Sequence, residues 1–440
     1  MLNYDSKKIT VEQALSMVKS NDVITLGMAG SEPREFLTNL HTIADRVENV
    51  TITGSIVTAK GEYLNEKYLK KAFKLENWFF SPPTRALRDT GRVSYIPNCL
   101  RFSGKKRNDA VKTNIFICSA SLPTADGRIF FSSSNAYEKE VALLADTVIL
   151  EISPNIPRVP GDAYLEFEDV DYVIECDYPL PTIPDVTPNE KDMKIGRYIS
   201  DLVHDGDTIQ VGIGSIPNAV CAAIAGKKDL GVHTEMLTTG IMDLMKSGVV
   251  NNSKKTLEPG KTVFAFMLGN RELYEFAHEN ESLLMRSGSW TNDPYVIAKN
   301  DNMVSINTSV EIDLTGQCCS ESIGSAQISG TGGQSDTAIG AQEAKNGRSI
   351  IALYSTAMVK NKQTGEETEV SKIVPVLQPG AAVTLSRNDV DYVVTEYGCV
   401  RLRGLCVQQR AEKLISIAHP KFQSALRQGG REYGFLPQDE

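Results

Sequence analysis

The sequence predicts an α/β protein built from two similar open α/β domains related by internal duplication. Three observations carry that prediction: short β-branched runs alternate with amphipathic stretches from end to end, a proline-rich segment falls near the middle, and the second half of the chain repeats the order of motifs in the first.

The strands come first. Asp22–Leu26, Val50–Thr53, Asn114–Cys118, Thr147–Leu150 and Tyr172–Ile174 are apolar and bounded by turn residues, which is the pattern of parallel strands covered on both faces. The segment Tyr178 to Pro188 (YPLPTIPDVTP) can continue neither a helix nor a central strand and reads as a linker, so domains are expected over 1–185 and 186–440. Ile9 to Pro33 reads as helix, turn, strand and glycine loop (GMAGSEP), and Ile195 to Pro217 reads the same way, ending in GIGSIP. A second echo, Asp169-Val170-Asp171-Tyr172-Val173, returns as Asp389-Val390-Asp391-Tyr392-Val393, 389 − 169 = 220 residues later. The first echo is offset by less, so the second half carries added material between its motifs, where function often sits.

Composition excludes several classes. With 46 Lys+Arg against 55 Asp+Glu and a net charge of -9, no nucleic acid partner is expected, because phosphate neutralisation needs clustered positive charge. The densest basic run, Lys105-Lys106-Arg107, reads as a solvated loop. No run of about 18 apolar residues spans a membrane, and MLNYDSKKITVEQAL lacks the apolar core of a signal peptide, so the expected location is cytoplasmic. Eight cysteines are scattered without a CxxC pair, so no metal site is expected and most read as small buried hydrophobes; the adjacent Cys318 and Cys319 leave a catalytic thiol as the lesser alternative.

Three places could carry chemistry. Gly212-Ile213-Gly214-Ser215-Ile216-Pro217 joins a strand to an apolar helix, so backbone N–H groups can face an anion there, or the loop is simply a tight turn. Ser329 to Asp336 (SGTGGQSD) is denser in glycine and lets a backbone come close to a ligand or to a neighbouring segment. Between them His233 and Glu235 end a short strand, where an open α/β sheet presents its ligands. His233 reads as a hydrogen-bonded structural residue or a proton shuttle, and Glu235 as a helix N-terminal carboxylate or a reactive one. With no GxSxG, HExxH or Walker loop, a carboxylate flanked by two glycine loops remains, which fits acyl chemistry on Glu.

GIGSIPNAV at 212–220, GVHTEM at 231–236, SGTGGQSD at 329–336, SKIVP at 371–375 and SRNDVDYVVTEYG at 386–398 together resemble the acetyl-CoA hydrolase/transferase family, nearest its 4-hydroxybutyrate and butyrate CoA-transferase group. The resemblance covers essentially the whole chain. It implies two α/β domains of the type shared with sugar-phosphate isomerases, and Glu235 as the nucleophile that passes through a mixed anhydride to a glutamyl-CoA thioester. It further implies that Gly212, Ile213, Gly214, Ser215 and Ile216 contact CoA, with Gly330, Gly332 and Gly333 of the second loop across from them. Asn307 falls where the family tends to place a ligand-contacting polar residue, and a turn-capping role is the alternative. The family's lysine near the turn Ser355-Thr356-Ala357-Met358 has only Lys360 to stand for it here. No permanently bound cofactor is implied; coenzyme A and acyl-CoA enter as substrates, and a homodimer is the expected assembly. The acceptor is a short acid such as acetate, butyrate or 4-hydroxybutyrate, or a dicarboxylate such as succinate or itaconate. Its pocket is expected to draw on Met28 to Glu32 of the first domain. A hydrolase using the same Glu235, or a non-catalytic acyl-CoA-binding protein, are the alternatives.

Overall fold

The computed structural model of the chain describes residues 4–184, 186–360 and 364–438, so Met1, Asp185 and Glu440, where the expected domain limits fall, lie outside the described residues. Each of the five apolar runs is a strand of one parallel sheet: β1 (Val23–Leu26), β2 (Val50–Gly54), β5 (Ile115–Ser121), β6 (Thr147–Ser153) and β7 (Tyr172–Glu175). Two more strands, β3 (Phe73–Asn77) and β4 (Val93–Tyr95), extend it at one edge in the order β4-β3-β2-β1-β5-β6-β7. Every residue of β1 and β5 is buried, as strands covered by helices on both faces must be.

The second half repeats this order. β8 (Thr208–Val211), β9 (Gly231–Val232), β12 (Met303–Thr308), β13 (Arg348–Ala352) and β14 (Tyr392–Thr395) are parallel in the order β9-β8-β12-β13-β14, and β15 (Gly398–Arg401) adds an antiparallel edge. A parallel pair, β10 (Thr262–Phe264) and β11 (Leu283–Met285), joins β9 through a bridge between His233 and Val263. Counting that bridge, the strands run β11-β10-β9-β8-β12-β13-β14, the same winding as the first sheet. The helices ahead of β1 and β8 match too: α1 (Val11–Met17) and α3 (Glu190–Ser200) both open on a capping box, Thr10 with Gln13 and Asn189 with Asp192.

The halves share one core. A single buried apolar cluster takes in Phe116 and Leu150 of the first sheet and Val211, Ile306 and Ile350 of the second. Their backbones also meet directly, Asn135 N–H donating to the Ala265 carbonyl at 2.8 Å and Met267 N–H to Ser133 at 2.7 Å. Lys105-Lys106-Arg107 departs from the expected loop: it lies on the helix Ser103–Ala110, with Arg107 ion-paired to Glu76 of β3. Among the described residues no helix is long and apolar enough to cross a membrane.

Candidate active site

Parallel sheets present ligands at the carboxyl ends of their strands, and four sequence-predicted segments gather at that edge of the second sheet. Val211 is opposite Ile306, so the loop Gly212–Gly214 leaves β8 beside Asn307 of β12, and β9, on the other side of β8, runs out into His233, Thr234 and Glu235. The backbone of Glu235 is pinned on both flanks, because Thr234 N–H donates to Val263 while Ala265 and Phe266 N–H both donate to the Glu235 carbonyl. The residue therefore sits between two short strands and not at a helix N-terminus.

The Glu235 side chain faces the second glycine loop. Asn292 Nδ2 donates to Glu235 Oε2 at 2.8 Å, and the Gly333 N–H donates to the same carboxylate. Gly333 has to be glycine: a Cβ there would lie 1.9 Å from Glu235 Oε2 and 2.0 Å from Asn292 Nδ2. Burial pushes the Glu235 carboxyl up to about 7; Asn292 and the Gly333 N–H pull it down, and the nearby Asp336 charge pushes it up further. Asp336, in the first turn of α5 (Gln334–Glu343), is itself pushed up to about 7 by burial, against the pull of Arg101, 3.3 Å away across the junction of the two halves.

Asn292 carries no sequence signal of its own. It follows the short helix Gly288–Thr291, whose Gly288 packs so close to Ala136 that a Cβ would meet its carbonyl oxygen at 2.3 Å. His233 holds the same turn: its Nε2 lies 2.8 Å from the Thr291 carbonyl. Burial and the charge of Lys255 push His233 down to about 3, so its ring is neutral near pH 7 and donates from Nε2. Its buried Nδ1 has no partner among the described residues. The geometry gives His233 a positioning role, through Thr291, for Asn292.

The glycine loops divide their work. Gly330 lies against the first half, where a Cβ would meet the Trp78 carbonyl oxygen at 2.3 Å, and the Gly332 carbonyl accepts Leu100 N–H at 2.9 Å. Of the three glycines, Gly332 and Gly333 reach Glu235 and Gly330 does not. The loop before α4 (Ser215–Ala223) is the more open one. Gly214 caps that helix at φ +118, no side chain caps it among the described residues, a Cβ on Gly212 would meet nothing within 4 Å, and Ile213 is 47% exposed. Ile216 is buried, and the Ser215 hydroxyl is held by Asp192 at 3.1 Å.

Its counterpart in the first half is filled from within. There the N–H groups of Glu35 and Phe36, in the first turn of α2 (Arg34–Asn39), donate to the buried Glu151 carboxylate at 3.1 and 2.7 Å. Glu151 pairs with Ile174, and the position equivalent by the repeat, 394 − 174 = 220, is Val394, which pairs with Ala352. A methyl group thus stands where the first half has the Glu151 carboxyl.

Four further residues singled out in the sequence have these surroundings. Asn307 lies on β12 and not in a turn, its Nδ2 within hydrogen-bonding reach of Ser305 Oγ (2.9 Å), Thr337 Oγ1 (3.1 Å) and Gln210 Oε1 (3.4 Å). Lys360 is exposed on the hairpin strand Thr356–Lys360, opposite Glu367, so the expected turn at 355–358 is largely strand and its lysine is not brought to Glu235. Cys318 and Cys319 are fully buried, and burial pushes the Cys318 thiol well up, which removes it as a nucleophile.

A small cavity opens on Glu235, lined from the first half by Met28, Ile56, Trp78, Phe79, Asn98 and Leu100. Met28 is thus where the sequence placed it, whereas the Glu32 carboxylate turns away to accept the N–H groups of Thr58 (2.8 Å) and Ala59 (2.9 Å). A buried carboxylate, two donors and an adjoining cavity are parts that acyl transfer through a carboxylate uses.

This chain is similar to known proteins along most of its length. The acetyl-CoA hydrolase/transferase N-terminal domain matches residues 2–184 and the C-terminal domain of that family matches 269–429. Over 96% of its length the chain is 40% identical to the 4-hydroxybutyrate coenzyme A transferase of Clostridium kluyveri, covering 97% of that protein. It is 41% identical over 97% to the succinyl-CoA:cyclohexane-1-carboxylate CoA transferase of Geobacter metallireducens, covering 96%. The crystal structure of RipA from Yersinia pestis superposes with a TM-score of 0.90 at 35% identity, over 98% of this chain and 99% of that one.

Proposed function

The chain belongs to the acetyl-CoA hydrolase/transferase family and is a CoA-transferase by its full-length relatives; from that premise we propose that it moves CoA between a short-chain acyl-CoA, of the acetyl or butyryl type, and a free carboxylic acid, with Glu235 as the covalent carrier. The observation that carries this reading is the Glu235 carboxylate held by Asn292 Nδ2 and the Gly333 N–H on a cavity lined from both halves.

Glu235 attacks the thioester carbonyl of the donor, the C–S bond breaks, and a mixed anhydride and CoA thiolate result. The thiolate then attacks the glutamyl carbonyl and expels the donor acid, leaving glutamyl-CoA. In that second step negative charge develops on the glutamyl oxygen, where Asn292 and Gly333 already donate, so the two donors act on the transition state without rearrangement. The acceptor carboxylate reverses both steps. A glutamate suits the task because anhydride and thioester keep the activation that an ester on serine would dissipate, and the buried site keeps water from both. The open N-terminus of α4, from Gly212 to Ile216, is our candidate for an anionic part of CoA.

Initial-rate kinetics test the proposal. A transferase gives parallel double-reciprocal lines with acyl-CoA and acid varied together, and no net CoA appears in buffer without an acid acceptor. Steady release of free CoA from acyl-CoA in buffer alone would make the enzyme a hydrolase instead.

A further inference from the structure

The glycine loop that brings the Gly333 N–H to Glu235 is tied along its backbone to the first half. Phe80 N–H donates to the Ser329 carbonyl at 3.2 Å, the Thr331 N–H donates to the Tyr95 hydroxyl at 3.1 Å, and Leu100 N–H donates to the Gly332 carbonyl at 2.9 Å. Of these ties the middle one is made by a side chain. Tyr95 is the last residue of β4, at the carboxyl edge of the first sheet, and its ring packs edge-on to Phe80 with centroids 6.0 Å apart. Thr331 is held from the other side as well. Its hydroxyl donates to Glu321 Oε2 at 3.0 Å, and the buried Glu321 is fixed in turn by the Thr384 hydroxyl at 2.8 Å and Gln327 Nε2 at 3.2 Å. A hydroxyl has one proton to give, so Thr331 Oγ1, donating to the carboxylate, accepts from the Tyr95 hydroxyl 3.3 Å away. The proton order therefore runs one way, from Tyr95 to Thr331 to Glu321. Burial pushes the Tyr95 hydroxyl up to about 12, with Thr331 pulling it down and the Glu321 charge pushing it up further, so its proton stays in place at neutral pH.

We propose that Tyr95 is a positioning residue of the reaction: together with Glu321 it fixes Thr331, and through Thr331 it holds the Gly333 N–H, two residues on, against the Glu235 carboxylate. The inference rests on the transferase reading above and adds to it residues that act through the loop. Beyond Thr331 the chain has only glycine backbone, Gly332 at a left-handed φ of +53 and then Gly333 itself, with no side chain to stiffen it. The last fixed point before the donor is thus the threonine that Tyr95 and Glu321 share. A donor that serves a transition state must be in place before the charge develops, and a misplacement of about 1 Å can cost about 10² in rate.

Tyr95→Phe tests this, since it removes the hydroxyl and leaves the ring on Phe80. It should lower kcat by about 10- to 100-fold and leave the KM for acyl-CoA within about twofold. Because the Gly333 N–H pulls the Glu235 carboxyl down, the acid limb of kcat should also move to higher pH. The other groups that set that limb, Asn292 and the Asp336–Arg101 pair, are unchanged in the variant. Thr331→Val should repeat both effects, and Thr331→Ser should bring both back to within about twofold of native; the double variant Tyr95→Phe/Thr331→Val should be no slower than the slower single one. The shift is also read without turnover, from urea unfolding between about pH 5 and 8 of Tyr95→Phe with and without Glu235→Gln. An acid limb that stays in place in Tyr95→Phe, a loss confined to thermal stability with kcat unchanged, or a Thr331→Ser as slow as Thr331→Val overturns the inference and leaves the transferase reading standing. A native enzyme that passes CoA to no acid removes the transferase reading instead, and the unfolding titration then decides by itself whether Tyr95 positions Gly333 on Glu235.

Discussion

Replacing Glu235 by Gln should abolish transfer and at the same time make the protein more stable above neutral pH. The sign follows from linkage. A carboxyl raised in the folded state from its ordinary 4.5 to about 7 keeps its proton longer when folded than when unfolded, so its full contribution is present below about pH 4.5 and is lost as the pH rises through about 7. At 1.36 kcal/mol per pH unit that loss is of order 3 kcal/mol by pH 8. Gln has nearly the shape of the protonated acid and, like it, no charge, so the variant follows the low-pH native enzyme at every pH. Urea unfolding of both proteins at pH 5, 6, 7 and 8 measures the difference: about 1 kcal/mol at pH 5, growing to roughly 3 kcal/mol in favour of the variant at pH 8. A variant no more stable at pH 8, or with an advantage independent of pH, would refute the claim that Glu235 is held as a costly buried charge. The same value sets the acid limb of activity, since only the ionised carboxylate can attack.

Two substitutions probe the donors. Asn292→Ala removes the 2.8 Å bond to Glu235 while leaving the Gly333 N–H, and should lower kcat by about 10²–10³ with little change in the KM for acyl-CoA, read from steady-state rates. Because Asn292 pulls the Glu235 carboxyl down, the acid limb of kcat should also move to higher pH. Gly333→Ala would place a methyl 1.9 Å from Glu235 Oε2; it should cost more activity than Asn292→Ala, and added acetate or CoA should not restore it.

The sequence made the fold legible wherever a strand is buried on both faces, because β1, β2, β5, β6 and β7 are then β-branched runs between turns. It left β3 unread for the converse reason: Phe73-Lys74-Leu75-Glu76-Asn77 alternates with half-exposed charges and lies toward the edge of the sheet. Glu235 stood out as an acid between two glycine loops. Which glycines face it did not, because Gly330 and Gly333 look alike in sequence and differ only in whether the Trp78 backbone or the Glu235 carboxylate lies against them. Asn292 was invisible for a related reason. It owes its place to long-range packing, through Gly288 on Ala136 and through His233 on Thr291. Asn307 and Lys360 were named from the family resemblance, and their surroundings, a strand network and a surface hairpin, could not be read from the sequence.

The most direct test of a covalent glutamyl carrier is intact-mass analysis of the enzyme after brief exposure to acyl-CoA without acceptor, followed by borohydride and peptide mapping. A carrier at Glu235 gives a CoA-mass adduct on the untreated enzyme, its removal by a carboxylic acid acceptor, and after borohydride a loss of activity with the reduced side chain at Glu235. Native mass throughout and full activity after borohydride, or a reduced residue other than Glu235, would contradict it.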